Sequence, residues 1–197
     1  TSVVRLKQNP LPYVSRGGLK LEAALDHFQV NPSNWIAADL GASTGGFTDC
    51  LLQRGAKKVF AIDVGYGQLA WTLRQDERVV VMERTNARHL ETLPEPVDLI
   101  VGDLSFISLT KILPSIMRLG TATTTAILLV KPQFEVGRAA VGKGGVVRDA
   151  SDRTAAIQGV VHAAETAGAT CHGIMDSPIP GAKKGNIEAL IHLSLGA

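Results

Sequence analysis

Two apolar strands of this chain run straight into a charged residue, in Val101-Gly102-Asp103-Leu104-Ser105-Phe106 and in Ala126-Ile127-Leu128-Leu129-Val130-Lys131. An ammonium at the rim of a low-dielectric interior is costly without a partner, and Asp103 is the carboxylate that a neighbouring strand end would supply to Lys131. Such a pair reads equally as a reaction centre and as a structural ion bridge. Upstream, Ala37-Ala38-Asp39-Leu40-Gly41-Ala42-Ser43-Thr44-Gly45-Gly46-Phe47-Thr48 passes from an apolar strand through a glycine-rich turn, and Phe47, Leu51 and Leu52 continue at helical spacing. This is the form of a nucleotide cradle: glycines let the backbone approach a ligand, and the N–H groups of the following helix face its polar end. A plain strand-turn-helix is the alternative. Asp39 adds a negative charge where a phosphate binder would want none, so the turn favours a ligand with an amine or hydroxyls, such as S-adenosylmethionine, over a dinucleotide.

Asp63 ends the next strand, 22 positions after Gly41. At that separation a carboxylate can accept hydrogen bonds from both hydroxyls of an adenosine ribose; otherwise it is a solvated strand end. Asn86, after the third strand, can reach an adenine edge. The glycine pattern Gly41-x-x-x-Gly45-Gly46 departs from G-x-G-x-x-G, which weakens the case for a nicotinamide-dependent oxidoreductase.

These residues need a scaffold that gathers strand ends. Leu21, Ala24, Leu25 and Phe28 recur at helical spacing and predict a helix over 18–29. Short β-branched runs predict strands at 35–40, 58–63, 79–83, 97–102 and 124–130, separated by segments whose lengths suit helices. A helix is expected over 152–166. Two further strands, 170–175 and 186–195, are joined by the Pro178-Ile179-Pro180-Gly181 loop with no helix between them, so they should pair antiparallel. The expected fold is α/β, a doubly wound, mostly parallel sheet ending in an antiparallel hairpin, the usual sheet of class I methyltransferases.

A chain of 197 residues with 45% hydrophobic composition fits one core and one domain behind a short lead-in. Its net charge of +2 advertises no general attraction to nucleic acid. Arg5, Lys7, Arg16 and Lys20 nevertheless crowd the N-terminal arm, Arg138, Lys143 and Arg148 share a glycine-rich stretch, and Lys183 and Lys184 lie near the C-terminus. They read either as solvated loop cations or as an RNA-facing rim. Cys50 and Cys171 have no metal-ligand spacing, and no metal site is expected. The apolar run at 126–130 is too short to cross a bilayer and no secretory signal opens the chain, so a soluble cytoplasmic protein is expected. The start at Thr1 leads us to expect a piece of a larger protein.

Several motifs together resemble the TlyA family, proteins often labelled hemolysins, whose catalytic domain is similar to the FtsJ-type ribose methyltransferases. They are Tyr13-Val14-Ser15-Arg16-Gly17-Gly18-Leu19-Lys20-Leu21, the glycine turn, Gly102-Asp103-Leu104-Ser105-Phe106-Ile107-Ser108, Lys131-Pro132-Gln133-Phe134-Glu135, Gly142-Lys143-Gly144-Gly145-Val146-Val147-Arg148, and Ser177-Pro178-Ile179 with Lys184-Gly185-Asn186-Ile187-Glu188. Members normally open with a small RNA-binding module. The resemblance therefore implies that 1–15 is a linker or remnant of that module and 16–197 the methyltransferase domain. It further implies a Lys-Asp-Lys-Glu catalytic set on Lys20, Asp103, Lys131 and Glu188, S-adenosylmethionine as methyl donor, and ribosomal RNA or a ribosomal subunit as partner, with a cytidine 2'-hydroxyl as acceptor. The cofactor-binding set is then Asp39, Gly41, Ser43, Gly45, Gly46 and Phe47 on the turn, Asp63 with Val64, Asn86, and Asp103. Two readings of other classes remain: a membrane-lytic protein, as the hemolysin label would have it, and a module that holds S-adenosylmethionine or RNA without catalysis. No long cationic amphipathic helix supports the first, and the complete Lys-Asp-Lys-Glu set disfavours the second.

Overall fold

A computed structural model describes residues 11–137, 140–142, 144–181 and 185–196; Arg5, Lys7, Arg138, Lys143, Lys183 and Lys184 of the basic clusters lie outside them. Seven strands, β1 (Ile36–Leu40), β2 (Lys58–Ile62), β3 (Val79–Met82), β4 (Leu99–Gly102), β5 (Thr125–Val130), β6 (Thr170–Asp176) and β7 (Ala189–Ser194), form one sheet in the order β3-β2-β1-β4-β5-β7-β6. The first five are parallel, and β7 runs antiparallel to both β5 and β6. The central strands are almost entirely apolar because both faces are covered, with Asp39 of β1 the buried exception.

Alternation along each strand splits the core in two. Ala37, Val59, Ala61, Val101 and Leu129 face the helices α1 (Gly17–His27), α2 (Gly46–Gln53) and α3 (Trp71–Arg74). Ala38, Leu40, Ile100, Leu128 and Ile191 face α4 (Leu113–Leu119) and α6 (Ala150–Thr166). A one-turn helix α5 (Pro132–Glu135) follows β5 directly. Strand order reverses between β1 and β4, so a crevice opens outside their carboxyl ends, where open α/β sheets bind ligands.

Some expectations are corrected. The segment between β2 and β3 holds only the single turn of α3, and between β3 and β4 there is a 3-10 turn, Ala87–His89, in place of a helix. Pro94 and Pro96 lie just ahead of β4 and deny a helix its N–H donors there. β7 begins at Ala189, so Asn186 to Glu188 form a lead-in to the strand instead of its first residues. The last lead-in residues at the N-terminus lie against α2: the Val14 N–H donates to Asp49 at 2.8 Å and the Gln53 amide to the Pro12 carbonyl at 2.8 Å. Tyr13 packs beneath Gly18, where any Cβ would sit 2.3 Å from its ring.

Candidate active site

The glycine turn is shaped by contacts on three sides. Gly41 has φ +83°, and a Cβ there would lie 3.1 Å from the Asp103 carbonyl, so the turn rests against the end of β4. Gly46 lets α2 cross α1 closely, a Cβ meeting Ser15 Oγ at 2.2 Å. Gly45 packs on Leu73 and Leu69, and Phe47 is buried while still lining the cavity. Ser43 has a left-handed φ of 50°, and its N–H donates to Asp63 Oδ2 at 2.8 Å.

Asp39 is a correction. The residue is wholly buried and absent from the cavity walls, because its position on β1 points it to the α2 side beside Ala37. One carboxylate oxygen accepts from the Thr48 N–H (3.0 Å) and Thr48 hydroxyl (2.7 Å), tying the first turn of α2 to β1; the other has no hydrogen-bond partner among the described residues. Burial pushes its pKa up to about 7, against the Thr48 hydrogen bonds and with the charges of Asp103 and Asp63 adding to the rise. Asp39 is thus engaged with Thr48 behind the cavity wall, and a charge so buried does not by itself select a cationic ligand.

Three adjoining cavities meet at the strand ends. The first, about 390 Å³, is floored by the glycine turn from Gly41 to Phe47 and walled by Arg16, Lys20, Asp103 and Lys131. The second, about 200 Å³, is a mostly apolar cleft lined by Ile62, Leu104, Ile107 and Ile112 with Asp63, Val64 and Asn86 at its edge. Asp63 accepts from the Ser43 and Gly65 N–H groups (2.8 and 2.7 Å), which fix the carboxylate and leave each oxygen one free lone pair. Asn86 accepts from the Arg88 N–H at 3.0 Å, and its amide nitrogen has no partner among the described residues.

The third cavity, about 480 Å³, is lined by Lys20, Asp103, Ser105, Phe106, Lys131, Phe134 and Glu188, among others. Here the four charged residues form two ion pairs, Lys131 Nζ to Asp103 Oδ1 and Lys20 Nζ to Glu188 Oε2, each at 2.5 Å. Lys20, Lys131 and Glu188 are buried and Asp103 is partly exposed. Lys20, Asp103, Ser105 and Lys131 line both this cavity and the first, so they stand at the junction of the two.

Two residues escaped the sequence reading. Ser105 accepts a hydrogen bond from Lys131 Nζ at 2.7 Å and lines all three cavities; its place two residues beyond Asp103 was the available signal. Phe106 is 91% exposed with φ +65° and lies over Phe134, centroids 5.4 Å apart. Backbone strain of this kind clusters at functional sites. The loop that carries it is pinned by Glu135, which accepts from the Ser108 hydroxyl (2.6 Å) and the Leu109 N–H (2.8 Å). Burial raises the pKa of Glu135, with those hydrogen bonds opposing.

Residues 13–195 match the family described as FtsJ-like methyltransferase. The chain is 47% identical over 195 residues to the 16S/23S rRNA (cytidine-2'-O)-methyltransferase TlyA of Mycobacterium tuberculosis, covering 98% of this chain and 72% of that protein. The chain belongs to the FtsJ-like methyltransferase family, in its TlyA branch. The solved structure of a protein named as a hemolysin from Streptococcus thermophilus superposes with a TM-score of 0.91 at 47% identity, over 95% of this chain and 68% of that one. At 13% identity, an S-adenosylmethionine-dependent methyltransferase from Mesorhizobium loti still superposes with a TM-score of 0.64, over 87% and 95% of the two chains. That likeness assigns the fold, a class I methyltransferase sheet.

Proposed function

We propose that this chain methylates a cytidine 2'-hydroxyl of ribosomal RNA, with S-adenosylmethionine as the methyl donor. The observation that carries the reading is the shared wall: Lys20, Asp103, Ser105 and Lys131 border both the glycine-turn cavity and the cavity beyond it. A donor on one side and an acceptor on the other would meet at these side chains. The residues fit the donor. Asp63 offers two oriented lone pairs to ribose hydroxyls, the apolar cleft beside it suits a purine, and Asn86 supplies an amide donor at that cleft's edge. The glycine turn would hold the amino-acid end. When bound, S-adenosylmethionine supplies a methyl group on a sulfonium, already a good leaving group.

The harder task falls to the acceptor, since a sugar hydroxyl is a poor nucleophile. Lys131, held between Asp103 and Ser105, presents a fixed ammonium that orients the 2'-oxygen and stabilises the negative charge it develops as its proton passes to solvent water and it gains the methyl. Lys20 and Glu188 fix the opposite side of the same cavity and position the nucleotide. Phe106 offers a stacking surface to an unpaired base at the cavity mouth.

The test is transfer of labelled methyl from S-adenosylmethionine into ribosomal subunits lacking the modification, followed by nucleoside digestion. Label in 2'-O-methylcytidine is expected; label on a base or on protein would reject the assignment. Nothing in the structure favours the membrane-lytic reading: among the described residues no helix is long and apolar enough to cross a membrane.

A further inference from the structure

The glycine-rich segment at 141–147 and the segment leading to Glu188 are both distinctive in the sequence, yet neither has a task in the scheme above beyond Glu188 itself. They meet at one side chain. Asn186 is 1% exposed. Its Oδ1 accepts from the Val147 N–H at 3.0 Å, and its Nδ2 donates to the Gly145 carbonyl at 2.8 Å. The described hydrogen bonds inside the segment close it on itself, Gly142 N–H to the Val146 carbonyl and Gly145 N–H to the Gly142 carbonyl, both 3.0 Å. They do not attach it to the rest of the protein; the Asn186 amide does. Val146 also rests against Gly185, where a Cβ would lie 3.2 Å from a Val146 methyl.

What the amide holds is a wall of the acceptor cavity. Val141 and Gly145 line that cavity opposite the glycine turn, and neither lines the two cavities on the donor side. Two residues beyond Asn186, Glu188 grips Lys20 in the same cavity. An acceptor and a donor facing two backbone groups from one buried side chain is a geometry that an amide supplies and that serine, aspartate or alanine cannot reproduce in full.

We propose that Asn186 is a positioning residue for the acceptor nucleotide, bracing residues 144–147 and Glu188 into one rigid wall while leaving the donor side untouched. This rests on the methyltransferase reading above. Asn186→Ala removes both hydrogen bonds. Asn186→Asp keeps the volume and the acceptor for Val147 but sets a carboxylate oxygen against the Gly145 carbonyl.

The experiment measures steady-state methyl transfer to ribosomal subunits, S-adenosylmethionine affinity by calorimetry, and hydrogen exchange at the Val147 amide. Asn186→Ala should raise KM for the RNA by about tenfold or more, keep cofactor affinity within about twofold, and speed exchange at Val147 by about tenfold or more. Asn186→Asp should show the raised KM with Val147 still protected, which separates bracing from simple unfolding. An unchanged KM, or cofactor affinity falling in step with the RNA KM, overturns the proposal. If wild-type protein methylates no RNA, the function assigned above fails by itself. The exchange data then decide the brace: unchanged Val147 exchange in Asn186→Ala removes it, and faster exchange retains it.

Discussion

Glu188→Gln keeps the volume of the side chain and removes its charge, leaving Lys20 with a buried ammonium and no counter-ion. The side chains of Lys20 and Glu188 are only 9% and 2% exposed and meet at 2.5 Å. The backbone of Gly181 closes over one side of the carboxylate, a Cβ there lying 2.4 Å from Oε1, while its other side borders the cavity. Breaking a buried pair from one side costs about 3–5 kcal/mol. At about 2–4 °C per kcal/mol for a chain of this size, Tm should fall by roughly 10 °C. Differential scanning calorimetry and urea denaturation measure it directly. The double variant Lys20→Met with Glu188→Gln should recover most of the loss, since no charge is then stranded, yet remain deficient in methyl transfer. A single variant melting within about 2 °C of the wild type would refute the reasoning, because the pair would then cost nothing to break.

Lys131→Ala should leave S-adenosylmethionine affinity nearly unchanged while turnover falls about 10²–10³-fold, the usual cost of one lost donor at a developing oxyanion; undiminished turnover would remove Lys131 from the chemistry. Asp63→Ala gives up charged hydrogen bonds to a ribose, and calorimetry should report cofactor binding weaker by about tenfold to a hundredfold, an unaltered affinity excluding the ribose role. Asp39→Asn tests a pH effect. Burial lifts the Asp39 pKa from 3.8 to about 7, so the folded state holds a proton that the unfolded chain releases. The stability this confers is complete below the unfolded pKa and is lost as pH rises through the window from about 4 to about 7. Urea midpoints of the wild type should therefore decline relative to Asp39→Asn across that window and run parallel to them above it; parallel curves throughout would show that Asp39 ionises normally.

The strand ends were legible because the charged residues there interrupt uniformly apolar runs, and a side chain at the end of a buried parallel strand has nowhere to go but the crevice. That logic located Asp63, Asp103 and Lys131 from the residues themselves. Asp39 defeated it through direction: a strand residue faces one side or the other, and the sequence does not say on which side the ligand lies. Lys20 and Glu188 could be placed only by resemblance, since a lysine in a first helical turn and a glutamate before a terminal strand look like solvated groups until the fold brings them within 2.5 Å. The short connections around β3 were misread because segment length alone suggested helices, whereas Pro94 and Pro96 argued against one. Ser105 and Phe106 were in a quoted motif, but beyond Ser105's place two residues after Asp103 nothing set them apart.

The two sides of the site draw on different parts of the chain. The apolar cleft beside Asp63 and the floor of the glycine-turn cavity come from the stretch between β1 and the turns following β4, a contiguous run closed by local parallel pairing. The acceptor cavity instead joins α1, the end of β5, the 141–147 segment and the lead-in to β7, elements separated by as many as 168 positions between Lys20 and Glu188. Ordering such distant segments costs more chain entropy than ordering local ones. The buried Lys20–Glu188 pair and the antiparallel β5–β7 ladder are the contacts that offset it, and β5 itself ends in Lys131. Loosening the C-terminal hairpin should therefore act first on acceptor positioning, through Glu188 and Lys131 together, before it reaches Asp63 on the far side of β1.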